Sequence, residues 1–130
     1  MSNDPSNIIT MTNNQIKISG EKAISFNDLV SEKKDQLVVV CFFAMWCAPC
    51  RRLTGMLRQI ATDFQNAIFL KVDVDENIDF ARRFHISGIP DVHLFLGMDD
   101  QKQPNEVDSI LGLDNSEMRE IISKHIPSLN

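Results

Sequence analysis

Ala44-Met45-Trp46-Cys47-Ala48-Pro49-Cys50-Arg51 is the stretch that decides the fold of this chain. A continuous apolar run, residues 37–46, leads into it, and apolar residues at helical spacing follow it, at Leu53, Leu57 and Ile60 among others. The run predicts a buried strand, and the spacing predicts an amphipathic helix. Both cysteines of the stretch therefore fall in the first turn of that helix.

The spacing of Cys47 and Cys50 suits a bond that is made and broken. Helical positions i and i+3 share a face with Cβ atoms about 5–6 Å apart, whereas a disulfide needs about 3.5–4.5 Å, so the turn must tighten. Unpaired N–H groups at a helix start favour an anion, and the thiolate is the attacking form of cysteine. We expect Cys47, nearer solvent, to be the nucleophile and Cys50 the resolving thiol. Pro49 fixes a helical φ in the first turn.

Two other interpretations of the pair stay open at this point. Cys47 and Cys50 could form an inert staple, although so small a loop gives about 2 kcal/mol in the chain-entropy estimate. They could also be half of a zinc site, which needs two further ligands at suitable spacing. The sequence has no second cysteine pair, and His85, His93 and His125 lack a metal-like spacing. Redox exchange is the interpretation that these arguments favour.

Length and composition limit the remaining function classes. The 130 residues suit one domain, and the net charge of −5 argues against a nucleic-acid surface. Three cysteines do not suggest an exported disulfide scaffold. We expect no signal or transit peptide, because residues 1–16 lack Lys, Arg and a long apolar core. We expect no membrane span, since no apolar run is long enough. A reducing, cytoplasmic location fits best.

The rest of the chain predicts alternating strands and helices. Residues 1–14, polar and rich in Asn and Ser, predict a mobile tail, and residues 15–130 predict a single domain. Within it the patterns predict strands at 16–18, 37–44, 67–73, 91–96 and 107–111, and helices at 25–34, 47–64, 77–84 and 114–126. Residues 97–106 predict a polar turn. Strand 37–44, helix 47–64 and strand 67–73 form a βαβ unit with parallel strands.

Four segments together resemble thioredoxins: Trp46-Cys47-Ala48-Pro49-Cys50, Lys71-Val72-Asp73-Val74-Asp75, Gly88-Ile89-Pro90, and Gly112 before the last helix. A CxxC pair beside a βαβ unit is the thioredoxin-like pattern itself. The resemblance implies an α/β fold, a thioredoxin-like central mixed sheet of five strands flanked by four helices. It places the cysteines at the carboxyl edge of the sheet and implies dithiol–disulfide exchange with protein substrates.

The resemblance also implies roles for residues outside the cysteine pair. Pro90 would be cis and face the cysteines, and the backbone of Ile89 would pair with the substrate chain. An X-Pro bond gives up only about 0.5–1 kcal/mol to be cis; the alternative is an ordinary turn proline. Trp46 resembles the surface Trp beside the nucleophile, and the alternative is a core aromatic.

Three residues depart from the family pattern. Ala48 stands where Gly is usual, which should change the reduction potential and the partner fit modestly. Cys41 stands where relatives carry a buried Asp that handles the proton of the resolving thiol, so Lys71 would lack its usual partner. Cys41 is either inert core or a third redox thiol, and in both cases we expect slower product release. Asp91 stands where Thr is common and shares a strand face with His93. Its carboxylate could serve as a substitute acid near the site or, as we favour, could hydrogen-bond the turn backbone.

The predicted function is a thioredoxin-type protein-disulfide reductase that uses Cys47 and Cys50. The resemblance implies no bound cofactor, with NADPH acting indirectly through a thioredoxin reductase. The expected partners are that reductase and disulfide-containing proteins, with no nucleic acid and no membrane, and we expect a monomer. Two alternatives remain: a binding adaptor that uses the 97–106 turn, or an isomerase or oxidant that uses the same cysteines.

Overall fold

The computed structural model describes residues 4–18 and 20–128, which form a mixed sheet with helices on both faces. The elements in chain order are β1 (Ile8–Thr12), β2 (Gln15–Ile16), α1 (Phe26–Glu32), β3 (Leu37–Phe43), α2 (Ala48–Asp63), β4 (Ala67–Asp73), α3 (Ile78–Arg83), β5 (Asp91–Met98), β6 (Pro104–Leu111) and α4 (Asn115–His125). The strand order is β2-β1-β4-β3-β5-β6. This arrangement confirms the α/β fold with four flanking helices.

Strand β3 lies at the centre of the sheet. It pairs in parallel with β4 and antiparallel with β5, and its residues 37–42 are fully buried. A strand covered on both faces must be apolar throughout, which explains the continuous Val-rich run in the sequence. The parallel β3-α2-β4 unit that the sequence predicted is therefore present.

Two apolar clusters fill the space between the sheet and its helices. On one face, odd-numbered β3 residues such as Val39 and Cys41 pack against α2 and α4, including Leu57 and Ile122. On the other face, even-numbered residues such as Phe42 pack against α1 and α3. The alternation of side chains along a strand produces this division. The cysteines lie where α2 begins, at the end of the central strand.

Local capping signals set the helix boundaries as predicted. The Ser25 hydroxyl accepts a hydrogen bond from the Asp28 amide at 3.1 Å, and the Asp114 carboxylate accepts one from the Glu117 amide at 2.9 Å. Each bond satisfies an N–H that the first helical turn leaves unpaired. No helix in the described part of the chain is long and apolar enough to cross a membrane.

The predicted mobile tail over residues 1–14 is wrong where the structure describes it. Ile8–Thr12 forms β1, which runs parallel to β4, and Met11 is fully buried. Asn13 and Asn14 both have positive φ, 52° and 63°, as a tight turn between β1 and β2 requires. The sheet therefore has six strands rather than five, and the domain begins before residue 15. Residues 1–3 lie outside the described chain.

Two strand boundaries also differ from prediction. The strand predicted at 16–18 is Gln15–Ile16, and Ser19 is not among the described residues. The hairpin of β5 and β6 is longer than predicted, since β5 continues to Met98 and β6 begins at Pro104. The predicted 97–106 turn is thus reduced to residues 99–103. The first half of β6 was not predicted because its charged residues, which are common on edge strands, interrupt the apolar pattern.

Candidate active site

The cysteine pair lies at the junction of β3 and α2. Cys47 is the N-cap residue of α2, Pro49 follows within the first two positions of the helix, and Cys50 completes the turn. The structure joins Cys47 and Cys50 in a disulfide with their Cα atoms 5.2 Å apart, within the usual range for such a bond. Cys47 is 6% exposed and Cys50 1%, so Cys47 is the one closer to solvent.

The backbone around Cys47 presents positive charge to its sulfur. The Cys50 amide donates a hydrogen bond to Cys47 Sγ at 3.3 Å. This is the bond that an N-cap side chain accepts, and it adds to the partial positive charge of the helix N-terminus. Both effects stabilise a thiolate more than a thiol. The local geometry therefore favours attack by Cys47 over attack by Cys50.

The loop before β5 closes the other side of Cys47. The Ile89–Pro90 peptide bond is cis, as predicted, and the Ile89 carbonyl oxygen lies 3.9 Å from Cys47 Sγ. The Pro90 carbonyl accepts a hydrogen bond from the Gly112 amide at 2.8 Å, which ties the loop to the end of β6. A backbone N–H that reaches Ile89 from solvent would arrive beside the Cys47 sulfur.

Trp46 is a surface residue held by a contact that the sequence did not predict. Its side chain is 68% exposed, and its indole Nε1 donates a hydrogen bond to Asp75 Oδ2 at 2.9 Å. The Asp75 amide in turn donates to Asp73 Oδ1 at 2.9 Å. Trp46, Val74, Gly88 and Ile89 line a groove of about 180 Å³ next to Cys47. Asp75 therefore fixes one wall of the groove beside the nucleophile.

Replacing Asp75 by Ala should lower kcat/KM for peptide disulfides about twofold to fivefold, because an exposed hydrogen bond to a charged group contributes modestly. Trp46 is the single tryptophan, so its emission should report the lost contact directly. Asp75→Asn, which keeps an acceptor oxygen, should restore most of the activity. Glu76→Ala removes an exposed acid from the next position and serves as the matched control. Equal losses in Asp75→Ala and Glu76→Ala would contradict the assigned role.

Cys41 and Lys71 are neighbours in the sheet, directly paired across β3 and β4. Cys41 is fully buried and not in a disulfide. Burial raises the pKa of its thiol to about 12, with the charge of Lys71 opposing the shift. The Lys71 ammonium lies 5.7 Å from the centre of the Phe43 ring, a cation–π contact. A thiol this hard to ionise favours the inert-core interpretation of Cys41 over a third redox thiol.

The pKa of Cys41 predicts a loss of stability in alkaline solution. The folded thiol keeps its proton up to about pH 12, whereas an unfolded thiol ionises near pH 8.5. Above that pH the unfolded state binds fewer protons, so the free energy of unfolding falls by at most about 1.4 kcal/mol per pH unit. Cys41→Val should remove this slope in urea titrations of the oxidised protein from pH 7 to 10.5. Parallel pH profiles of the two proteins would contradict the assignment.

Asp91 and His93 share a strand face, as predicted, and no hydrogen bond joins the Asp91 side chain to the turn backbone within residues 4–18 and 20–128. The Asp91 carboxylate lies 3.2 Å from His93 Nε2, and His93 Nδ1 lies 2.9 Å from Glu106 Oε1. His93 also contacts the ring of Phe42, which places it on the face covered by α1 and α3. Cys41 packs on the opposite face. The Asp91 carboxylate thus lies against a histidine, although buried His93 Nε2 makes no hydrogen bond to any described residue.

No group of three or more His, Cys, Asp or Glu side chains within residues 4–18 and 20–128 is placed to hold a metal ion. The half-site interpretation of the cysteine pair therefore has no further ligands in the described chain. The exposed groove and the backbone carbonyl that adjoin Cys47 argue against the alternative of an inert staple. A purely structural disulfide requires neither feature.

Comparisons with known proteins agree with this geometry. A family model described as Thioredoxin matches residues 17–123. A thioredoxin of Chlamydia pneumoniae is 37% identical over 105 residues, covering 80% of this chain and 97% of that protein. The crystal structure of Schistosoma mansoni thioredoxin superposes with a TM-score of 0.75 at 29% identity, covering 93% of this chain and 97% of that one.

A longer protein also matches. A peptide-N(4)-(N-acetyl-beta-glucosaminyl)asparagine amidase of Caenorhabditis briggsae is 37% identical over 101 residues, or 76% of this chain. This chain spans 16% of that protein. The match therefore covers a small part of the amidase, whereas the two thioredoxins are matched over nearly their whole length.

Proposed function

This chain belongs to the thioredoxin family and is a thiol–disulfide oxidoreductase, and we propose that it reduces protein disulfides with Cys47 as nucleophile and Cys50 as resolving thiol. The observation that carries the assignment is the position of Cys47 Sγ. It accepts the Cys50 amide hydrogen bond at 3.3 Å and lies 3.9 Å from the Ile89 carbonyl oxygen. One sulfur thus has both a stabilised anionic form and a backbone group for aligning a substrate.

The reaction proceeds in two exchanges. Cys47 thiolate attacks one sulfur of the substrate disulfide, the substrate S–S bond breaks, and the departing thiolate takes a proton from solvent. Cys50 then loses its proton and attacks Cys47 Sγ, which releases the second substrate thiolate and forms the Cys47–Cys50 disulfide. Two electrons pass from the protein to the substrate. Of the two protons that the product thiols gain, solvent supplies the first, and the proton that Cys50 releases balances the second. In the disulfide form that results, the Cα atoms of Cys47 and Cys50 are 5.2 Å apart, within the usual range for such a bond.

Substrate alignment is assigned to the backbone of Ile89 and the groove beside Trp46. A substrate N–H that bonds the Ile89 carbonyl would run as a short extended strand past Cys47. The half-buried side chains of Val74 and Ile89 would receive its apolar residues. Because the main contacts are to backbone, such a site accepts many sequences. This breadth suits a reductase of diverse proteins.

We propose that the oxidised protein is returned to the dithiol by a thioredoxin reductase that draws its electrons from NADPH. The protein would then work as a monomer, without a bound cofactor, in the cytoplasm. What supports this proposal is the family membership, together with the reducing environment that a working dithiol needs. The comparisons favour this enzyme over the adaptor. The isomerase or oxidant would be distinguished by its reduction potential.

Reduction of a protein disulfide such as that of insulin, with dithiothreitol as the electron source, tests the proposed function. We expect turnover well above the rate with dithiothreitol alone, and none above that rate in Cys47→Ser. NADPH consumption with a thioredoxin reductase should follow the same pattern. A protein that binds disulfide substrates without turning them over would be an adaptor, and the proposal would be wrong.

Cys41→Asp should speed the release of reduced product, by about threefold or more. At neutral pH the Cys41 thiol keeps its proton, so it cannot take one from Cys50, whereas a carboxylate on the same face under α2 could. Single-turnover measurements would separate release from the first attack. Cys41→Asn, similar in size but unable to take a proton, is the control. Equal release rates in the Asp and Asn variants would refute the explanation.

A further inference from the structure

A second cleft borders the cysteine pair, and neither Ile89 nor Trp46 is among the residues that line it. It has a volume of about 210 Å³ and is lined by Phe43, Ala44, Met45, Cys50, Arg51 and Thr54. Met45 is 71% exposed, so the apolar wall is open to solvent. Unlike the groove beside Trp46, this cleft has a basic residue at its rim. The reaction described above leaves the cleft without a role.

Arg51 is the feature that gives the cleft its chemistry. The Arg51 side chain is exposed and makes no ion pair or hydrogen bond with any residue in 4–18 or 20–128. By contrast, Arg58 pairs with Asp4, and Arg119 pairs with Asp63. Within residues 4–18 and 20–128, Arg52 and Arg82 also have no such partner, but neither lines the cleft. Because the Arg51 guanidinium has no partner within the described chain and borders an apolar wall, it can bind a carboxylate from another molecule.

The groove beside Trp46 carries charge of the opposite sign. Asp75 and Glu76 are exposed on the loop after β4 that holds Trp46. A substrate segment crossing Cys47 therefore meets negative charge on the Trp46 side and positive charge on the Arg51 side. Exposed charges separated by a few ångströms still interact at physiological salt, where the screening length is about 8 Å. The two sides will prefer substrate residues of different charge.

We propose that the Arg51 cleft is a specificity subsite that receives a glutamate side chain from the substrate segment beside the reacting disulfide. The methylene groups of that side chain would pack on Met45 and Phe43, and its carboxylate would pair with Arg51. Successive residues of an extended chain are about 3.2–3.4 Å apart, so a residue two positions from the substrate cysteine lies about 7 Å along the chain, and the cleft begins at Cys50 of the reacting pair. This inference rests on the proposed function and names which substrates that function prefers.

Four peptide disulfides of one neutral sequence test the subsite, with Glu or Lys placed two residues before or two residues after the reacting cysteine. At one of the two placements we expect the Glu peptide to have a higher kcat/KM than the Lys peptide. Arg51→Glu should shift the Glu-to-Lys ratio of kcat/KM toward Lys by about three- to tenfold. The shift should shrink as salt is raised. Arg52→Glu makes the same charge change at an exposed position that does not line the cleft, and it should shift the ratio much less.

Turnover of the uncharged hydroxyethyl disulfide separates this inference from the proposed function. If the wild type does not reduce that compound, the proposed function fails. If it does, but Arg51→Glu lowers all four peptides and the uncharged disulfide by one common factor, Arg51 acts on the cysteines and the subsite is refuted. Equal shifts in Arg51→Glu and Arg52→Glu would also refute it, because general surface charge would then be sufficient.

Discussion

Cys50→Ser should stop turnover while leaving the first exchange intact, so that the protein accumulates covalently bound to its substrate. Cys47 keeps its position at the N-cap of α2, and the amide of residue 50 still donates to its sulfur. A serine hydroxyl is not ionised at neutral pH and cannot attack the mixed disulfide. We expect steady-state turnover to fall by at least about a thousandfold, to the rate at which external thiols release the trapped substrate.

Mass spectrometry after mixing the variant with a disulfide substrate measures the trapped species directly. The adduct should be on Cys47 and should disappear on addition of dithiothreitol. Cys41→Ser is the matched control, since it also removes one thiol but from the buried, unpaired position; it should turn over substrate and trap nothing. Trapping on Cys41, or normal turnover in Cys50→Ser, would show that the two roles are assigned wrongly.

Asn77→Ala should lower the free energy of unfolding by about 2–4 kcal/mol. Asn77 is fully buried, and its Nδ2 donates to the Met11 carbonyl at 3.2 Å and to the Asp73 carbonyl at 3.0 Å. Its Oδ1 accepts from the Asn14 amide at 2.8 Å. Alanine removes all three bonds. The Asn14 amide and the Met11 carbonyl lose the Asn77 side chain as a partner, whereas the Asp73 carbonyl still accepts from the Glu76 and Asn77 amides, so the cost falls mainly on the first two groups.

Urea unfolding at neutral pH measures the loss, with the slope of the transition checked for a change in the unfolded state. Asn105→Ala is the control: Asn105 is exposed, and its Nδ2 donates to the Leu96 carbonyl at 3.4 Å. We expect that change to stay within about 0.5 kcal/mol. Similar midpoints for the two variants would mean that Asn77 is not the buried connection between β1 and the loop after β4.

The centre of the fold could be read from the sequence because its signals are local. β3 is an uninterrupted apolar run, α2 begins at a proline-containing turn, and Ser25 and Asp114 each accept the amide three residues on. Each of these patterns is complete within a few residues. The predicted boundaries of β4 match the structure for the same reason.

The features that the sequence did not predict depend on partners far along the chain. The strand Ile8–Thr12 gains its stability from β4, about sixty residues away, and its own alternation is weak. Asn77 was predicted only as the start of a helix, yet its side chain does not cap α3 and instead bonds β1. The contact between Trp46 and Asp75 likewise joins residues that no local pattern connects.

The candidate site divides in the same way. The cysteine pair, Pro49, Pro90 and Trp46 were identified from spacing and resemblance. In the structure Pro49 lies in the first turn of α2, the bond before Pro90 is cis, and the Ile89 carbonyl oxygen lies 3.9 Å from Cys47 Sγ. The contact between Asp91 and His93 and the cleft beside Arg51 depend on side-chain directions that no pattern of residue types specifies. Charge and burial at such positions become visible only when the elements are packed.

The ionisation of Cys47 is the most direct test of the account, because the whole mechanism depends on a thiolate at the start of α2. The rate of alkylation of reduced protein by iodoacetamide, followed from pH 4 to 10 with the modified residue located by mass spectrometry, measures it. We expect the midpoint for Cys47 to lie below the value of about 8.5 for a free cysteine, since the helix N-terminus stabilises the anion. A midpoint at or above that value would contradict the account.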